Sequence, residues 1–192
     1  MELIKQNSQT KIFKSLIVIF LGSLLLTLSA KVKIPFYPVP MTMQTFVVLF
    51  LGISFGYKVG LATIGLYLVE GIIGLPVFSN SPEKGVGLVY FTGPTMGYLI
   101  GFLPAVFLVG YLKLDDWIKK ENGSVKVFFI NLIKLFISVS TIYFLGLYWL
   151  SNLIGFEKAL LFGLKPFWLA ELFKILLLAF LIPIILKFRK FI

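Results

Sequence analysis

From Ser15 to Ala30 the chain carries no charged side chain, with Lys11 and Lys14 before the run and Lys31 and Lys33 closing it. Such a run fits the hydrocarbon core of a bilayer, which takes about 20 apolar residues per helix. Five further apolar stretches follow, so the six lie at approximately 15–30, 41–55, 59–75, 92–112, 127–150 and 166–186. Composition agrees: 59% of residues are hydrophobic, 14% are charged and mean hydropathy is +1.00, well above a soluble domain. The expectation is an all-α integral membrane protein, one domain over 1–192 with about six transmembrane helices. Leu28-Ser29-Ala30 would also suit a signal-peptidase site, but everything downstream is equally membrane-like.

The breaks between the stretches are chemically marked. Pro35, Pro38 and Pro40 stop a regular helix and dictate an extended loop. Gly56-Tyr57-Lys58 separates the second and third stretches, and Gly74-Leu75-Pro76 ends the third. Orientation follows from the basic residues. With the N-terminus cytoplasmic, Lys5, Lys11, Lys14, Lys58, Lys113, Lys119, Lys120, Lys126, Lys187, Arg189 and Lys190 fall inside, against Lys31, Lys33, Lys84, Lys158 and Lys165 outside. That asymmetry places both termini in the cytoplasm. It also accounts for the net charge of +10 as membrane anchoring, with no nucleic acid among the expected partners.

Several functions are excluded. Gly52-Ile53-Ser54-Phe55-Gly56 has the letters of a serine-hydrolase elbow, yet the chain contains no histidine to act as base. With neither histidine nor cysteine, the usual zinc and transition-metal ligands are missing. No Gly-Lys dipeptide exists for a Walker A loop. No catalytic residue, metal or cofactor of its own is therefore expected. The rival classes are an intramembrane enzyme, which lacks a nucleophile with a base, and a self-sufficient proton-coupled carrier using Glu70 or Glu171.

The strongest positive signal is Glu171 and Lys174, three residues apart inside the last apolar stretch. A lysine at bilayer depth costs about 3 kcal/mol on insertion scales, so the pair marks either a binding site or a structural ion pair. On the inside-inside topology it lies in the first turns below the outer face. Glu70 stands alone in the third stretch, as a proton relay or an outer-side structural or ligand group. Gly93, Gly97 and Gly101 recur every fourth residue, predicting a face of close helix packing. Ser23 and Thr27 form a smaller face of the same kind, for packing or for a partner.

Pro38-Val-Pro-Met-Thr-Met-Gln44-Thr, Leu66-Tyr-Leu-Val-Glu70-Gly, Gly74-Leu-Pro-Val-Phe78, Gly93-Pro-Thr95-Met-Gly-Tyr98-Leu-Ile-Gly-Phe102 and Pro166-Phe-Trp-Leu-Ala-Glu171-Leu-Phe-Lys174 occur in this order. From about Gly22 to Pro183 the chain resembles the BioY family, the biotin-binding S components of energy-coupling factor (ECF) type transporters. It departs from that family at Met96, where glycine is usual, and at Glu171, where aspartate is usual. The resemblance implies capture of biotin from the outer side, in a bacterial plasma membrane. It also implies import driven by a separate transmembrane coupling protein with two ATPase subunits, which alone use ATP; another vitamin is the alternative ligand. Biotin offers ureido N–H donors, a carbonyl, an apolar bicycle and a carboxylate tail. Glu171 could accept from the ureido group, and Lys174 could donate to the ligand or neutralise Glu171. Gln44, Asn80 and Tyr98 are further hydrogen-bonding candidates, and Phe36, Tyr37, Tyr90 and Trp168 could supply aromatic surface. Ser23 and Thr27 become the expected docking face for the coupling protein.

Overall fold

The structure is a computed structural model that describes residues 2–34, 37–119 and 124–191, with side chains from residue 9 onward. Phe36 and Lys120 lie outside the described residues. Helix α1 spans Glu2–Lys31, α2 Gln44–Ile72, α3 Met96–Tyr111, α4 Ser124–Ile154, α5 Phe156–Gly163 and α6 Trp168–Ile185. Short 3-10 turns occupy Gly87–Thr92 and Leu186–Phe191. Between α1 and α2 the proline-rich segment forms a two-stranded antiparallel ribbon, β1 (Lys33–Ile34) and β2 (Met41–Thr42), with Lys33 opposite Thr42.

Among the described residues four helical stretches are long and apolar enough to cross a membrane: 9–31, 44–72, 124–154 and 168–191; α3 is a shorter apolar helix. The surface is inverted relative to a soluble protein. Phe13, Phe20, Phe129, Phe136, Phe144, Phe173 and Phe180 are all exposed, a distribution that suits a lipid environment.

Helix α2 is folded back on itself. Gly56, at φ +77 and ψ 173, interrupts the helical backbone with a conformation that glycine adopts at no steric cost. The two arms, 44–55 and 57–72, then run side by side. Gln44 Nε2 donates to Tyr67 Oη at 2.8 Å, and a Cβ built on Gly60 would lie 3.6 Å from Gly52 Cα. Gly155, at φ +86, makes the equivalent break that turns α4 into the short α5.

Helices α3 and α4 meet at close range. A Cβ on Gly97 would lie 2.4 Å from Leu145 O, and one on Gly101 2.7 Å from Ile142 Cα. Gly93 does not share this face. Pro94 disfavours helical geometry at the residue before it, so Gly93 is extended (φ −78, ψ 172) and α3 starts at Met96. Its carbonyl instead accepts from Trp149 Nε1 at 2.9 Å.

On the small-residue face of α1, Ser23 takes the packing role of the two expected. Ser23 is fully buried and donates to Glu70 Oε1 at 2.9 Å, while a Cβ on Gly22 would press on the Thr63 side chain at 2.6 Å. Thr27, half-buried, donates to Ser23 O at 3.0 Å. This face packs against the second arm of α2, so Ser23 is no free surface for a partner.

The candidate ligand cavity

One end of the bundle is built from the β-ribbon, the 76–92 connection and the α5–α6 corner. Lys31 Nζ donates to Phe78 O at 2.9 Å and Ser81 O at 2.8 Å. Lys33 bonds Asn80 Oδ1, and Lys84 lies over the Tyr37 ring at 5.4 Å. These contacts tie the ribbon to the 76–85 loop, and below them lies a cavity holding about 560 Å³ of empty space, part of it open to solvent.

Its walls come from six parts of the chain: the ribbon with Val39 and Thr42, the first turn of α2 with Gln44 and Thr45, the 76–92 connection with Ser79 and Tyr90, α3 with Tyr98, α4 with Tyr143 and α6 with Glu171. Tyr98 presents its ring, because its hydroxyl donates to Gly163 O at 2.9 Å. Tyr90 donates to Ser79 O; burial raises its pKa, outweighing the opposing hydrogen bond with Thr95, so the hydroxyl stays a donor. Gln44 belongs to the wall, and one of its two amide N–H groups donates to Tyr67, which in turn donates to Val77 O at 3.2 Å.

Glu171 and Lys174 are both buried, at 6% and 5% exposure, and their spacing puts them on one face of α6. The Lys174 ammonium reaches Glu171 Oε1 at 2.7 Å, Thr42 O at 2.6 Å and Thr45 Oγ1 at 3.1 Å. An ammonium has three protons, and all are engaged. Thr45 Oγ1 donates in turn to Glu171 Oε1 at 2.9 Å. One carboxylate oxygen is thus doubly satisfied while the other, Oε2, is buried without a hydrogen bond, as is Ser79 Oγ; the Tyr143 phenol is the further polar group that interacts with this carboxylate. Leaving a buried polar atom unpaired costs about 1–3 kcal/mol. The cavity therefore carries an anionic acceptor and a hydroxyl, both open to a polar ligand, among aromatic rings.

Of the residues singled out by sequence, Glu171, Gln44, Tyr98 and Tyr90 meet at this cavity, and Lys174 stands behind Glu171. Asn80, held by Lys33, lines a neighbouring crevice with Pro38 and Lys84. Trp168 is half exposed and lines an apolar concavity between α4 and α6 instead of this cavity. Glu70 is paired with Ser23 away from the cavity. Thr45, Ser79, Tyr143 and Phe167 are wall residues that sequence reasoning missed. Thr45 sits inside the Pro38–Thr45 motif, where a hydroxyl at the start of an apolar helix was a usable signal. Ser79 and Tyr143 carried none, since only the fold brings them together.

Fold and site together define a class: a multi-pass helical membrane protein with a partly closed, polar-floored cavity under one face of its bundle. The profile of the BioY family matches residues 4–191, and the chain belongs to that family. It is 36% identical over 164 residues to the biotin transporter BioY of Thermotoga maritima, covering 85% of this chain and 89% of that one. With the probable biotin transporter BioY of Pyrococcus horikoshii it shares 32% over 160 residues, 83% and 87% of the two chains. The fold matches the crystal structure at 2.1 Å of the S-component for biotin from an ECF-type ABC transporter, with a TM-score of 0.68 and 25% identity over 97% of this chain and 93% of that one.

Proposed function

We propose that this chain is the biotin-binding S component of an ECF-type importer and that biotin occupies the cavity bounded by Glu171, Thr45, Tyr90 and Tyr98. The observation that carries this reading is the buried Oε2 of Glu171, which accepts no hydrogen bond. A ureido N–H is a donor suited to it, and Lys174 offsets the charge of the carboxylate from behind, 2.7 Å from Oε1. The ring faces of Tyr90, Tyr98 and Tyr143 suit an apolar bicycle. Lys174 acts as a positioning residue here, because its three protons already have acceptors.

All six apolar helices cross the membrane in this reading, the two arms of α2 counting separately, which the Gln44–Tyr67 contact supports. Both termini face the cytoplasm of a bacterium, as the lysine distribution favours, and the cavity opens outward. Concentrative uptake needs an energy source, so the chain works with a membrane coupling protein and two ATPase subunits and holds no cofactor itself. The test is titration of the purified protein with biotin. Wild type should bind saturably and Glu171→Ala should lose affinity by about tenfold or more. Equal binding by the two proteins rejects the site, and no binding by wild type rejects the ligand.

A further inference from the structure

A second concavity lies on the membrane side of the ligand cavity. It runs between α4 and α6, holds about 1190 Å³ including open space, and is almost wholly apolar, with Phe136, Phe144, Leu147, Trp168 and Leu172 along it. Tyr143 and Glu171 line both this groove and the ligand cavity, so the two spaces share these side chains as a common wall. We infer that a membrane phospholipid occupies the α4–α6 groove, its acyl chain lying against Tyr143 and Leu172 and its anionic headgroup near Lys165, and that it forms the outer wall of the ligand site.

Three features favour a lipid. The groove belongs to helices whose outer faces are apolar and exposed, so hydrocarbon is the surrounding solvent. At one end, Leu164 and Trp168 belong to its lining, and between them Lys165 is exposed. An indole and a cation at the end of an apolar trough match the chemistry of the headgroup boundary. A chain packed behind Tyr143 also removes the space into which its ring could swing. The wall holding Glu171 is then preorganised for ligand, which saves ordering on binding.

The inference rests on the biotin reading for one of its two measurements. Native mass spectrometry of the purified protein should show retained phosphatidylglycerol, diminished by Lys165→Glu and lost in Ser140→Trp, whose indole would fill the groove from an exposed position on α4. Exhaustive delipidation of wild type should weaken biotin binding about tenfold, and phosphatidylglycerol nanodiscs should restore it; Ser140→Trp should bind biotin equally in both states. Lipid retained unchanged by both variants, or biotin affinity indifferent to lipid, overturns the proposal. So does crosslinking of Phe144→Cys to a protein subunit in the assembled transporter in place of lipid. If wild type binds no biotin at all, the biotin function itself fails, and lipid retention alone then decides the groove.

Discussion

The Lys174 ammonium, 2.7 Å from Glu171 Oε1, also ties α6 to the β-ribbon through Thr42 O at 2.6 Å. One cation thus neutralises the acid and fixes the segment that lines the cavity from above. Removing a single partner of a buried ion pair costs about 3–5 kcal/mol, whereas replacing both by apolar groups is often nearly neutral. Lys174→Met should therefore lower the thermal midpoint more than the double variant Lys174→Met/Glu171→Leu does. Melts of the two singles, Lys174→Met and Glu171→Leu, and of the double variant in detergent check the order, and a double variant at the sum of its singles would show an uncoupled pair.

Thr45 separates stability from binding. Its hydroxyl accepts from Lys174 and donates to Glu171, so it aims the carboxylate whose free oxygen is proposed for the ligand. Thr45→Val keeps the shape and removes both bonds. The expected loss is about 1 kcal/mol of stability and about tenfold in biotin affinity, read by calorimetry. Thr45→Ser, which retains the hydroxyl, should restore most of the affinity.

Much of this was legible in the sequence, for physical reasons. Gly56 and the prolines at 35–40 punctuate the chain through their own backbone restrictions, and an acid and base in an apolar run stand out because hydrocarbon penalises them. The glycine repeat pointed to an earlier start for α3 than the structure has, because Pro94 restricts Gly93 from one residue away. Ser23 and Thr27 show that small residues announce close approach without saying to what. Glu171 meets Thr45 across 126 positions, and neither Tyr143 nor Ser79 differs in sequence from an ordinary core or loop residue. Those pairings are properties of the bundle alone.

The α3–α4 crossing gives a graded packing test. Gly101 has no space for a side chain beside the Ile142 backbone, and a Cβ on Gly146 would lie 2.4 Å from the Tyr98 ring. Gly101→Val should cost several kcal/mol, about the scale of severe overpacking. Gly146→Ala should push Tyr98 and weaken biotin binding as well. Gly65, where an added Cβ would meet nothing within 4 Å, is the control; Gly65→Ala should be neutral or stabilise by up to about 1 kcal/mol through helix propensity. Thermal midpoints of the three variants test the ranking.

Glu70 discriminates between an S component and a self-sufficient proton-coupled carrier. Its carboxylate accepts from Ser23 Oγ at 2.9 Å and lies outside the cavity walls. Glu70→Gln keeps a carbonyl acceptor for that hydroxyl but cannot exchange a proton, so biotin affinity should stay within about twofold and ATP-driven uptake by the assembled transporter should persist. Ser23→Leu replaces the donor with a bulky chain at a fully buried position and should lower the thermal midpoint of the isolated chain, with no partner present. Proteoliposome uptake settles the point. If a pH gradient alone drives biotin accumulation by this chain, and Glu70→Gln abolishes that uptake while binding is intact, Glu70 is a proton relay and the ATPase-dependent mechanism is wrong.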